Sequence, residues 1–185
     1  MSIVPWLLAL AAVPAYGHSW EATEASELRF AGVGDGERFE GRFAEFSARI
    51  DFDPGDPAAC RFEVEVQLRS ADTRNAERDE ALMGEEFFAA QAHPLARWQA
   101  QRCRCAGQDG FVAEGTLQLK GHSAPVELRF QWTDAQGRPT LEGRARLDRM
   151  EFAVGTGDWN DPDLIAHEVE VRTRLTLRPA ESREP

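Results

Sequence analysis

The chain has few of the residues that most often carry chemistry. Its 185 residues include three cysteines and four histidines, and 21 basic side chains stand against 32 acidic ones. A net charge of −11 repels nucleic-acid backbones and anionic membrane surfaces, so no nucleic-acid partner is expected. The acidic residues alternate with apolar ones instead of massing in a tail, which describes a solvated outer face. There is no Gly-x-Ser-x-Gly elbow, no zinc helix motif and no C-x-x-C pair. His93 precedes Pro94, His122 follows Gly121, and His167 opens a strand-like run. His122 and Ser123 are adjacent on a strand and point apart, so they form no dyad. These histidines read as turn and rim residues. No catalytic residue, catalytic cofactor or metal set is assigned, and an enzyme is not expected.

Long apolar runs are missing too, except at the start. "MSIVPWLLALAAVPAYG" is apolar, short for a membrane span and ends in small residues, as a secretory leader does. Cleavage after Ala15 or Gly17 fits the small-residue rule. No Lys or Arg precedes the apolar run, and a retained anchor is the alternative. The expected division is a signal peptide over residues 1–17 and one domain over residues 18–185, exported to the periplasm. Removal after Gly17 would leave His18 with a free amine, a copper-chelating pair with no partner histidine identified. In an oxidising compartment, an odd cysteine count leaves at least one thiol unpaired. Cys103 and Cys105 share a strand face and are poorly placed to bond each other. Antiparallel pairing of the flanking strands would bring Cys60 to either of them; three free thiols is the other reading.

What the chain does have, from Glu27 onward, is a period of two. "FEVEVQL" puts Phe62, Val64, Val66 and Leu68 on one face and charged or polar groups on the other. The same alternation aligns Ala96, Trp98 and Ala100, then Phe111, Ala113, Gly115, Leu117 and Leu119. It continues through Val126, Leu128, Phe130 and Trp132, through Leu141, Gly143, Ala145 and Leu147, and finally through Val169, Val171, Thr173, Leu175 and Leu177. In "RFEGRFAEFSARIDF" the apolar phase shifts from Phe39 and Phe43 to Phe46, Ala48, Ile50 and Phe52, so a bulge is expected near Ala44 or Glu45. About eight strands with one apolar face each make an all-β sandwich or a closed barrel, and periodicity does not separate the two. Small residues at Gly115, Gly143 and Ala145 either leave an interior cavity or make room for large neighbours.

One stretch breaks the pattern. "TRNAERDEALMGEEFF", residues 73–88, predicts a short helix capped by Asn75, with Glu77 and Asp79 in its first turns and Leu82 and Met83 on an apolar side. Phe87 and Phe88 follow it, as a lid or as a plug. "GTGDWNDPD", residues 155–163, is a long irregular stretch; it is either a mouth loop carrying Trp159 to a ligand or partner, or a turn with an anchored tryptophan.

Four blocks, "EGRFAEFSARIDFDPGDP", "SADTRNAERDEALMGEEFF", "GTLQLKGHSAPVELRF" and "RARLDRMEFAVGTGDWNDPDLIAHEVEV", resemble in order the YceI family of periplasmic, lipocalin-like proteins. That resemblance implies an eight-stranded antiparallel lipocalin-like β-barrel with a short helical insert. It also implies a bound polyisoprenoid or isoprenoid quinone and no catalytic step. "GDW" followed by "IAHEV" is similar to family members found with cytochrome b561. A membrane cytochrome partner is therefore an expectation, a dimer is a separate one, and the alternative function is a docking module whose lipid is structural. The apolar strand phases nominate Phe43, Phe62, Val64, Val66, Leu68, Trp98, Leu117, Val126, Leu128, Phe130 and Leu147 as the tail-binding wall, together with Phe87, Phe88 and Phe152.

Overall fold

The computed structural model describes residues 19–181. The expected leader, its cleavage site and His18 lie outside the described residues. In chain order, β1 (Ser19–Ala22) and β2 (Glu27–Gly34) form one stave, and β3 (Glu37–Phe43) and β4 (Phe46–Asp51) form the next. β5 (Arg61–Gln67) leads to a two-residue β6 (Ala71–Asp72) and to α1 (Ala76–Met83). Then come β7 (Leu95–Cys105), β8 (Phe111–Leu119), β9 (His122–Asp134), β10 (Pro139–Asp148) and β11 (Glu168–Pro179). All neighbours are antiparallel, and β11 pairs with β2 at Glu170 to Arg174 and with β1 at Leu177 to Pro179. That pairing closes an eight-stranded barrel. It also decides between the two architectures that the alternation allowed.

Local chemistry explains the breaks. β3 ends and β4 begins around Ala44 and Glu45, where the apolar phase shifts. The chain bends there between two strands with different partners, and Ser70 holds the bend, its carbonyl accepting from the Ala44 N–H at 3.0 Å and its hydroxyl from the Glu45 N–H at 3.0 Å. The two-residue hairpins use paired positive φ angles, 50° and 74° at Asp35 and Gly36, and 50° and 78° at Lys120 and Gly121. A left-handed pair of this kind matches the twist of the flanking strands, and glycine adopts it without a Cβ clash. β6 pairs with Arg42 and Phe43 of β3 and directs the chain into α1 at one barrel end. Asn75 caps this helix, its side-chain oxygen accepting from the Arg78 N–H at 2.9 Å. Asp79 ties the helix back to the sheet by accepting from the Thr73 N–H at 2.8 Å and the Thr73 hydroxyl at 2.6 Å.

The interior has two unlike halves. Away from α1 it is packed: Phe52 lies 5.0 Å from Phe111, 5.2 Å from Phe130 and 5.0 Å from Trp132, centroid to centroid. Ile50, Phe62 and Leu141 are buried among them. Each such side chain contributes about 1.5–3 kcal/mol by burial, so this end anchors the fold. The Cys60–Cys103 disulfide joins the start of β5 to the end of β7 here, with Cα atoms 6.0 Å apart. Cys105, two residues further on, is a free and exposed thiol. The half near α1 is lined rather than filled.

The ladder between β9 and β10 stops at the Arg129 and Arg144 pair, and beyond it the two strands part. A 3-10 turn, Arg149–Phe152, packs against β9 in that region, with Phe152 fully buried. Lys120, the only lysine in the chain, donates to the Ala153 carbonyl at 2.7 Å. No helix among the described residues is long and apolar enough to cross a membrane.

Candidate ligand-binding site

An apolar cavity of about 650 Å³ occupies the α1 half of the barrel. Its wall collects inward residues from every stave. β5 supplies Phe62, Val64 and Val66, β7 supplies Trp98, and β8 supplies Leu117. β9 supplies Val126 and Leu128, β10 supplies Leu147, and β3 supplies Phe43. Leu68, Phe87 and Phe88 complete the predicted residues that face it. Val64, Trp98, Leu117, Leu128 and Leu147 point inward yet are only half-buried. In a filled barrel such positions would be covered on all sides; here their remaining exposure is to the lumen.

Two of the nominated residues lie elsewhere. Phe130 is 2% exposed in the packed end, its ring 5.5 Å from Phe62 and 5.5 Å from Phe111. It has the inward phase of Leu128 but lies two residues deeper along β9, and periodicity reports a face without a height. Phe152 is buried in the 3-10 turn after β10 and does not reach the lumen wall. The small residues also divide. Ala145 faces the cavity, whereas Gly115 and Gly143 leave no space. A Cβ at Gly115 would meet the Trp98 indole at 2.4 Å, and one at Gly143 would meet Leu128 at 2.9 Å.

The strand pattern displayed Val169 and Val171 on the inward face without nominating them; both line the cavity, as do Leu28, Phe30, Phe39 and Phe46. Polar groups surround the mouth: Asp35, Glu37 and Arg38 of the β2–β3 hairpin, and Asn75, Glu77 and Arg78 of the helical segment. The Arg78 guanidinium lies 4.7 Å above the Phe39 ring, a cation–π contact at the rim. Val33, Trp159 and Leu164 are the exposed large apolar residues among the described ones, and Trp159 and Leu164 also border the cavity.

Two segments meet across the mouth. The Glu86 carbonyl accepts from the Gly155 N–H at 2.7 Å and the Thr156 N–H at 3.0 Å. Its carboxylate accepts from Trp159 Nε1 at 2.9 Å, and the Phe87 and Trp159 rings lie 5.7 Å apart. Phe88, by contrast, is buried and packs on Phe43 with centroids 6.2 Å apart. The adjacent phenylalanines therefore do different things: Phe87 belongs to the latch and Phe88 to the core. Behind the latch sits Arg149, which the sequence did not single out and which is 3% exposed. Its guanidinium donates to the carbonyls of Val154, Gly155, Trp159, Ile165 and Ala166 at 2.6–3.1 Å. Burial pushes its pKa down from the ordinary guanidinium value, opposed by Asp148. Burial likewise lowers Lys120, opposed by Glu85 and Glu86.

The three described histidines stay at turns and rims: His93 packs by Gly121, His122 is exposed, and His167 Nε2 lies 3.0 Å from the Asn160 carbonyl. Among the described residues no three His, Cys, Asp or Glu side chains are grouped to hold a metal ion.

With this geometry in view, comparison with known proteins is informative. Residues 21–177 match the family described as the YceI-like domain. A UPF0312 protein of Azotobacter vinelandii is 31% identical over 120 residues, 62% of each chain. One from Yersinia pestis is 33% identical over 122 residues, 63% of each. The match thus spans about three-fifths of the length of these curated relatives. Among solved structures, Burkholderia cenocepacia BcnA superposes with a TM-score of 0.81 at 25% identity, covering 85% of this chain and 99% of that one. A polyisoprenoid binding domain from Saccharophagus degradans, implicated in plant cell wall breakdown, gives 0.67 at 16% identity over 89% and 100%. The second likeness is one of fold.

Proposed function

The chain belongs to the YceI-like family, and from that premise we propose that it is a periplasmic carrier holding a long-chain polyisoprenoid or isoprenoid quinone in the barrel. The observation that supports this most is the lumen, about 650 Å³, with inward aliphatic and aromatic walls of which Val64, Trp98, Leu117, Leu128 and Leu147 are only half-buried. Its size lies within the range of about 300–1,000 Å³ usual for small-molecule sites. Each methylene moved from water into such walls contributes about 0.8 kcal/mol, so a prenyl tail needs apolar surface and no directed bond. A polar headgroup would rest at the rim among Asp35, Glu37, Asn75 and Arg78. The reading contains no catalytic step. The Cys60–Cys103 disulfide is in keeping with an oxidising compartment.

Substituting Val66 by tryptophan tests the site. Val66 is 9% exposed on the cavity wall, so an indole there fills space without adding charge, at an overpacking cost of about 1–3 kcal/mol. The variant should stay folded and take up less long-chain isoprenoid quinone than the wild type in calorimetric titration. Equal uptake would contradict the site. A second reading rests on the exposed Trp159 and Leu164 at the rim: the mouth docks on a membrane cytochrome and the lipid is structural. Loss of cytochrome binding in Trp159→Ala, with lipid content unchanged, would favour it.

A further inference from the structure

At the deep end of the lumen Ala48, Phe62, Leu175 and Trp98 meet the cavity, and of these Trp98 has the largest side chain that is still half-buried. Trp98 lies level with Val64 on β5 and Leu117 on β8, and it packs against both the cavity half and the filled half of the interior. Its indole crosses over Gly115, and Nε1 donates to the Val126 carbonyl at 3.0 Å. One edge meets Phe62, with centroids 5.9 Å apart and planes at 75°. Phe62 is 1% exposed and locked to Phe52 and Phe130, so it belongs to the anchor of the fold. Trp98 is half-buried and faces the lumen. The position of its ring depends on one hydrogen bond and on a glycine shelf that has no side chain to lift it.

We propose that Trp98, seated on Gly115, is the floor that sets how long a tail the barrel accepts. The inference rests on the carrier reading and adds chain-length selection to it. A tail entering from the rim passes Phe39 and Val66 and stops at the indole face. The two residues make opposite predictions. Trimming the indole extends the lumen toward the filled half. Adding a methyl at Gly115 places a carbon 2.4–2.5 Å from three indole atoms, so the ring must move toward the lumen. A purely structural role for the pair predicts loss of stability in both cases and no such opposition.

Delipidated wild-type protein and the variants Trp98→Ala, Trp98→Phe and Gly115→Ala are offered an equimolar series of all-trans prenols from farnesol upward, and the bound species are read by native mass spectrometry. Trp98→Phe keeps an aromatic ring and covers the case in which the alanine variant does not fold. The expected result is a limit longer than wild type by one isoprene unit or more in Trp98→Ala, a smaller lengthening in Trp98→Phe and a shorter limit in Gly115→Ala. Wild type that binds prenols while the folded variants keep its limit would overturn the floor and leave the carrier reading standing. Wild type that takes up no prenol of any length would overturn the carrier reading and the floor with it.

Discussion

Replacing Arg149 by methionine should loosen the mouth and lower stability well beyond an ordinary surface change. Methionine keeps much of the length and apolar stem but removes all five donors. The carbonyls of Val154, Gly155, Trp159, Ile165 and Ala166 then lose the group that holds them together. Counted singly, hydrogen bonds to a charged donor contribute about 1.5–3 kcal/mol each, which would overstate a set that shares one side chain. The segment can also swing out and rehydrate its carbonyls, which caps the loss at the cost of detaching it. A loss of about 3–5 kcal/mol, roughly that of two such bonds lost in full, is the expected magnitude. For a domain of this size that corresponds to a fall of roughly 6–20 °C in Tm. Arg149→Lys retains the charge but not the planar fork, and should fall between wild type and Arg149→Met. Urea unfolding measures the loss, and amide exchange at Gly155 and Thr156 locates it. A methionine variant within about 1 kcal/mol of wild type, with those amides still protected, would refute the clamp.

Reduction of the disulfide, which spans 43 residues in sequence, should cost up to about 4 kcal/mol by loop-closure entropy. Thiol titration should find one reactive group, Cys105, in the native oxidised protein, and equal stability with and without reductant would contradict the bond. Glu86→Gln keeps an acceptor for the Trp159 indole, whereas Glu86→Ala removes it; only the alanine variant should raise amide exchange across residues 153–160. Val66→Asp buries an unpaired charge in the wall and should cost several kcal/mol in urea unfolding, about 2–7 being the range for a buried polar group without a partner.

Much of this was legible in the sequence, and the failures have physical causes. Alternation shows which face of a strand is apolar, so the inward set from Phe62 to Val171 could be read directly. The shift from Phe43 to Phe46 marked the break between β3 and β4, and Asn75 marked the start of the helix, because both signals are local. Height within the barrel is not local. Phe130 and Leu128 share a phase but lie in the filled and hollow halves. At Gly115 and Gly143 the sequence left a cavity and room for a large neighbour both open, because the side chains that cover them, Trp98 and Leu128, come from neighbouring strands. Arg149 was invisible for another reason. Its partners are backbone carbonyls of the segment that follows, and no residue type announces a carbonyl. The choice of Cys103 over Cys105 likewise depended on depth: Cys103 is buried opposite Ala113, while Cys105 is exposed at the strand end.

The central claim is that the lumen holds a long prenyl chain. Organic extraction of protein purified without detergent from a bacterial periplasm, followed by mass spectrometry of the extract, tests it most directly. The account predicts a polyisoprenoid or isoprenoid quinone at close to one molecule per barrel, replaceable by added prenyl lipid. An empty protein that also refuses added long-chain prenyl lipids would contradict it.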